Sequence, residues 1–191
     1  MRSLPVVLVL AALAGCTPAN TRSPSAIDPS GTTTVVVVRH AEKAAEPAND
    51  PPLTAAGQAR AEALVDAVRG MPVRAVVSTN FARTRSTAAP LAERLALTPE
   101  LVDARSPDHA RQVAAGVLAR HRGETVVVVG HSNTVPDIVA ALGAPKPAPI
   151  CDAEYDNLFV VRVPANGAAA TVERRRYGVA SVLDASCGAM R

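Results

Sequence analysis

The sequence predicts an α/β protein, a three-layer α/β/α sandwich in which helices cover both faces of a largely parallel, mixed central sheet. Three observations carry that expectation. Short apolar runs dominated by β-branched residues recur at Thr33 to Val38, Ala75 to Ser78 and Thr125 to Val129, as strands buried on both faces require. Stretches with helical periodicity follow them, which makes parallel crossovers the natural connection. A last pair of runs, Leu158 to Val163 and Ala170 to Tyr177, is joined through the turn-forming Asn166-Gly167 and reads as antiparallel.

Each element has a local reason. Thr33 to Val38 is TTVVVV, and Ala41 to Pro52 after it is a loop. Thr54 caps a helix whose Ala61, Leu64, Val65 and Val68 form one stripe, and Gly70 closes it. After the second strand a helix is expected within Phe81 to Leu95, bent or restarted near Pro90. Ser106-Pro107 suits an N-cap and first turn for a helix running to about His121. A short helix from Val135 to Leu142 follows the third strand. Hydrophobic residues are 48% of the 191 positions and aromatics 2%, so the core must be Ala, Val and Leu, in one domain.

In open α/β sheets ligands bind beyond the carboxyl ends of the strands. Arg39-His40 follows the first strand, Arg83 lies shortly after the second, and Gly130-His131-Ser132 follows the third. Three strand ends therefore deliver two histidines and two arginines to one edge. That set suits a phosphoryl group: Arg offers a planar fork to phosphate oxygens, and a neutral imidazole nitrogen attacks phosphorus. Fixed cations then stabilise the charge that spreads over the equatorial oxygens. A helix starting near Asn133 adds backbone N–H groups, and Asn133 and Asn157 are potential donors, though capping or turn roles fit them better. His109 and His121 fall on or beside a surface helix and read as bystanders.

These residues resemble the histidine phosphatase (phosphoglycerate mutase-like) superfamily. Val38-Arg39-His40-Ala41-Glu42-Lys43 is similar to its RHG-type signature, with Ala41 in place of Gly. Leu53-Thr54-Ala55-Ala56-Gly57 matches its helix entry. Ser78-Thr79-Asn80-Phe81-Ala82-Arg83, with Thr87-Ala88, matches its pocket-arginine segment, and Gly130-His131-Ser132 its second histidine motif. The resemblance implies that His40 is the nucleophile, that Arg39, Arg83 and His131 bind the phosphate, and that a phosphate monoester is hydrolysed without cofactor or metal. Many members of that family carry an acidic proton donor after the pocket arginine, and compact ones sometimes lack an obvious one, so the leaving-group acid stays open. Glu42, Glu100, Asp103 and Asp108 are the candidates, with no motif to choose among them; Glu42 and Lys43 serve equally as exposed salt-bridging residues.

The N-terminus carries an address. Arg2, the apolar Leu4 to Leu13 and then Leu13-Ala14-Gly15-Cys16 resemble a bacterial lipoprotein signal, with residues 1–15 removed and Cys16 lipidated. Residues 16–32, rich in Pro, Ser and Thr, read as a tether, and 33–191 as the catalytic domain. The expected location is the periplasm, with Thr17 after the Cys pointing to the outer membrane. Cys151 and Cys187 then remain as a pair in an oxidising compartment, where a disulfide is expected. A net charge of +3 and the lack of basic–aromatic interleaving point away from nucleic acid and toward a small phosphorylated substrate. No HExxH or paired-Cys spacing suggests zinc. A phosphoglycerate mutase-type enzyme conflicts with export. A lipoprotein that only binds a phosphorylated ligand has no need of a nucleophilic histidine.

Overall fold

The computed structural model describes residues 30–183 and Cys187. The lipobox-like segment, Cys16 and most of the expected tether lie outside the described residues. The strands are β1 (Thr33–Arg39), β2 (Val73–Thr79), β3 (Glu100–Val102), β4 (Thr125–Gly130), β5 (Asn157–Val163) and β6 (Thr171–Arg176). The helices are α1 (Ala55–Ala67), α2 (Ala82–Arg94), α3 (His109–Arg120) and α4 (Val135–Ala141).

One six-stranded sheet has the order β3-β2-β4-β1-β5-β6. β3, β2, β4 and β1 are parallel, while β5 runs antiparallel to β1 and β6 antiparallel to β5. The mixed α/β sandwich expected from the sequence is therefore the fold. Val36 and Val38 of β1 and Val127 and Val129 of β4 pack with Leu64 of α1 and Leu91 of α2. Val35, Val37, Val126 and Val128 point the other way, against Val113 and Val117 of α3 and Ile138 of α4. The alternation of one strand thus feeds two cores, each fully buried valine contributing about 1.5–3 kcal/mol relative to exposure. The chain moves outward from β1 to β2 and β3, then turns back to β4. Right-handed crossovers accordingly put α1 and α2 on one face and α3 and α4 on the other. Among the described residues no helix is long and apolar enough to cross a membrane.

Three local expectations need correction. β3 is an additional strand, three residues pairing in parallel with Val77–Thr79 at the sheet edge, too short to show a periodicity in the sequence. α2 passes through Pro90 without restarting. Pro90 has no N–H to give the preceding turn, but Ala88, Leu91 and Ala92 are buried around it and hold the helix together. α3 begins at His109 rather than at Ser106-Pro107. Ser106 instead closes a turn, its carbonyl accepting from His109 N–H (3.0 Å) and its hydroxyl from Asp108 N–H (3.2 Å).

Candidate active site

Register brings the two histidines together. Arg39 lies opposite Gly130 across the β1–β4 ladder, so His40 and His131 leave neighbouring strands at the same level. His40 N–H donates to the Gly130 carbonyl (2.9 Å), and the imidazoles meet edge to face with centroids 5.4 Å apart. β2 ends beside them: His131 Nε2 lies 3.1 Å from Thr79 Oγ1, and its Nδ1 lies 3.4 Å from Arg83 Nη2. Because arginine can only donate, Nδ1 accepts, and Nε2–H donates to Thr79 in that state. Arg39, Arg83, His40 and His131 thus converge at the carboxyl edge of the parallel strands.

The family-like motifs have identifiable physical jobs. Thr87 Oγ1 accepts from Ala41 N–H (2.9 Å) and donates to the Arg83 carbonyl (2.8 Å), so one hydroxyl ties the backbone beside His40 to that of Arg83. Thr54 N–H donates to the Glu42 carbonyl (2.9 Å), while its hydroxyl accepts from Gly57 N–H (3.1 Å). Gly57 lies so close to that segment that a Cβ would come 2.2 Å from the Glu42 carbonyl oxygen. α1 can approach the loop after His40 only without a side chain at this position.

The electrostatics favour neutral imidazoles. Burial pushes His40 down from 6.5 to about 3, and the charges of Arg39, His131 and Arg83 act in the same sense, while its hydrogen bond to Ala41 works against them. Burial likewise lowers His131 to about 4, reinforced by Arg83, His109 and Arg39. His40 Nδ1 donates to the Ala41 carbonyl (2.8 Å), which fixes the tautomer and leaves Nε2 with its lone pair.

Arg39, 2% exposed, is held by the segment before β5: its Nη1 donates to the carbonyls of Cys151 (2.9 Å), Asp152 (2.9 Å) and Glu154 (3.0 Å). Its guanidinium lies over the Tyr155 ring at 4.1 Å. Arg83 lies over Phe81 at 4.3 Å, and Phe81 meets His131 edge-on at 5.4 Å. The Nε atoms of both arginines are buried without a hydrogen-bond partner. Native proteins rarely leave such donors unpaired, and two of them at one edge form a ready site for a tetrahedral oxyanion.

The carboxylates named from the sequence each have a partner of their own. Glu42 is held by Arg60 through Nε (3.0 Å) and Nη2 (2.7 Å). Glu100 starts β3 and engages Arg120 (2.5 Å) and His121 (2.6 Å). Asp103 Oδ1 accepts from Arg105 N–H (2.9 Å), and Asp108 pairs with Arg111. Asp50 and Asp152 lie within ion-pair distance of pocket arginines, at 3.8 Å from Arg83 Nη1 and 3.6 Å from Arg39 Nη2, and the charge of Glu42 also acts on Arg39. Asp50 also accepts from Ala82 N–H (2.8 Å) at the start of α2. Neither belongs to a motif, so sequence reasoning missed them. Tyr155 and Phe81 had a usable signal: the chain has only two Tyr, two Phe and no Trp, and one of each lies against a pocket arginine.

His109 is not a surface bystander. It is 4% exposed, its Nδ1 donates to the Asp103 carbonyl (2.9 Å), and its Nε2 is buried without a partner. Its position follows from α3 starting at the site end of the sheet. His121 lies at the other end of that helix, between Glu100 and Glu124. Asn133 is exposed, and Thr134 rather than Asn133 is the N-cap of α4. Asn157 is buried and accepts from Arg174 Nε (2.8 Å). Lys43 is exposed and joins Leu53 in a single bridge. Cys151 and Cys187 form a disulfide with Cα atoms 5.2 Å apart, within the usual range. Among the described residues no group of three His, Cys, Asp or Glu side chains could hold a metal ion.

Residues 35–105 match the family model described as histidine phosphatase superfamily (branch 1), which spans the first histidine motif and the Arg83 segment. Over this segment the chain is similar to the histidine phosphatase superfamily. Similar solved structures include the protein assigned as phosphohistidine phosphatase SixA from Nakamurella multipartitia, at TM-score 0.60 and 26% identity, covering 80% of this chain and all (100%) of that one. The protein histidine phosphatase SixA complexed with tungstate has TM-score 0.60 and 20% identity, over 82% and 99% of the two chains. A mycobacterial glucosyl-3-phosphoglycerate phosphatase has TM-score 0.55 and 15% identity, over 78% and 100%. The last two, at such identities, speak to the fold alone. No curated protein matches significantly.

Proposed function

We propose that this chain is a metal-independent phosphatase that hydrolyses phosphate monoesters through a phosphohistidine on His40. The observation that carries the reading is the pairing of a neutral His40, its Nε2 lone pair available, with two buried and unpartnered arginine Nε donors. Nε2 attacks phosphorus in line, the ester oxygen leaves, and water then displaces the phosphoryl group from nitrogen. Arg39 offers Nε and Nη2, since Nη1 is occupied by three carbonyls. Arg83 completes the oxyanion contacts, and His131 joins them once the bound anion draws a proton onto Nδ1. Tungstate, bound by one structural neighbour, is a tetrahedral oxyanion of the same geometry as phosphate. Because Glu42, Glu100, Asp103 and Asp108 are engaged elsewhere, leaving groups that need little protonation, such as aryl phosphates and phosphoramidates, should turn over faster than alkyl phosphates.

The test is turnover of an aryl phosphate in chelator, with trapping of phosphate on His40 by a quench that avoids acid. His40→Ala should abolish turnover and leave the far-ultraviolet spectrum unchanged. Wild-type turnover in His40→Ala, or a strict requirement for a divalent metal, would sink the mechanism. Tight phosphate binding without turnover would favour a ligand-binding lipoprotein instead. We propose further that residues 16–32 tether the domain to a membrane through lipidated Cys16. Soluble, unacylated wild-type protein in the periplasm would exclude this.

A further inference from the structure

β3, the strand without a sequence signature, opens a fourth route to the site edge. The turn after it is braced: Asp103 Oδ1 accepts from Arg105 N–H (2.9 Å), and the Asp103 carbonyl accepts from His109 Nδ1 (2.9 Å). Gln112 Nε2 donates to Ser106 Oγ (3.1 Å). This turn carries the Arg105 guanidinium over the Phe81 ring at 5.4 Å from its centroid. Arg83 lies over the same ring at 4.3 Å, and the ring meets His131 edge-on. One phenyl group therefore supports two cations, Arg83 inside the site and Arg105 at its exposed rim. Among the described residues Arg105 has no carboxylate partner, whereas Arg111 and Arg120 on α3 are paired with Asp108 and Glu100.

We propose that Arg105 is a specificity residue that binds a second anionic group, a carboxylate or a further phosphate, on the leaving group of the substrate. The proposal rests on the phosphoryl group occupying the Arg39–Arg83 site. Both guanidinia lie against one ring, at 4.3 and 5.4 Å from its centroid, so a substituent on an anion held at Arg83 can extend toward Arg105. The contact is a charge-assisted one at a partly solvated rim, so it should sharpen selection among phosphorylated compounds by about tenfold rather than dominate affinity. The exposed Asp103, which orients the turn through the Arg105 backbone, leaves that guanidinium free to meet the ligand.

Calorimetric binding of two non-hydrolysable probes, methylphosphonate and phosphonoacetate, tests this on the folded protein. Wild type should bind phosphonoacetate about tenfold more tightly than methylphosphonate. Arg105→Gln should abolish that preference. Arg122→Gln, the same charge change in the turn before β4 at the opposite edge, should keep it. Equal binding of the two probes by wild type overturns the proposal, as does binding of neither. A preference that survives in Arg105→Gln, or that Arg122→Gln removes equally, also overturns it, because general attraction by net charge would then suffice. Aryl phosphate turnover is read separately: its absence beside an intact probe preference rejects the phosphatase reading, while turnover without preference rejects only Arg105.

Discussion

β1 and β4, in the parallel half of the sheet, read TTVVVVR and TVVVVG and are almost wholly buried, whereas β6, at the antiparallel edge, reads TVERRR and is largely exposed. The difference decides how each half reaches the site. Parallel strands all end at one edge, so Arg39 arrives at the end of β1, and Arg83, His131 and Arg105 on the segments that follow β2, β4 and β3. β5 runs the other way, so the segment that precedes it approaches that edge. This segment, residues 151–155, brings three carbonyls and an aromatic ring against Arg39. The parallel half supplies the four side chains of the proposed site, and the segment before β5 holds one of them, Arg39, in place. Edge charges such as the Glu173–Arg175 pair also keep β6 from pairing with another chain.

Variants of the two halves should separate these jobs. The largest effect is expected at Arg83→Ala, which should lower kcat/KM by about 3–4 kcal/mol of transition-state stabilisation, by analogy with the loss of one preorganised oxyanion donor. Melting temperature should hardly change, because Arg83 is not a core residue. Comparable activity in Arg83→Ala would remove the parallel half's claim to the chemistry.

Loss of the Cys151–Cys187 bond should act differently. The sequence separation is 36, for which the chain-entropy model gives about 3–4 kcal/mol of stability as an upper figure. Because the Cys151 carbonyl holds Arg39, the Cys151→Ala/Cys187→Ala protein should also lose turnover at temperatures where it remains folded. Chemical denaturation and steady-state rates on the same samples check both parts. Lost stability with unaltered kcat/KM would show that the edge does not position Arg39.

Gly57→Ala should cost about 1–3 kcal/mol by overpacking, since the added carbon meets backbone that cannot turn aside. The consequence should also reach the loop after His40, visible as reduced turnover.

A smaller effect, read as a slope, is expected with pH. His40 and His131 are held far below 6.5 in the folded chain, so the unfolded chain takes up their protons first. Their contribution is therefore complete above pH 6.5 and is lost as pH falls from there toward about 4 for His131 and about 3 for His40. Melting temperature in phosphate-free buffer should decline less steeply over that window for His40→Asn than for wild type. The smallest change is expected for Arg175→Gln on exposed β6, whose melting temperature should match wild type.

Much of this was legible before any fold was known. Val-rich runs announced the three long parallel strands because a strand covered on both faces has no room for polar alternation. Arg39, His40, Arg83 and His131 were legible because motifs at strand ends share one edge whatever the strand order. Asp50 was not, since it meets Arg83 across 33 residues of chain without a motif. Nor was the engagement of Glu42 by Arg60, an arginine from the middle of α1 that also donates to the carbonyls of Tyr177 and Val179.

What the sequence by itself determined is the inventory: which strands are buried, and which cations and imidazoles sit at their ends. Tertiary structure alone decided the partnerships. The β1–β4 register set the two histidines level with each other, and the burial that follows keeps both imidazoles neutral. The three-residue β3, too short to announce itself, brought His109 into the interior and Arg105 to the rim. The physical reason is range: periodicity and motifs report interactions within a few residues, whereas charge state, orphaned donors and choice of carboxylate depend on groups that meet only after the sheet has closed.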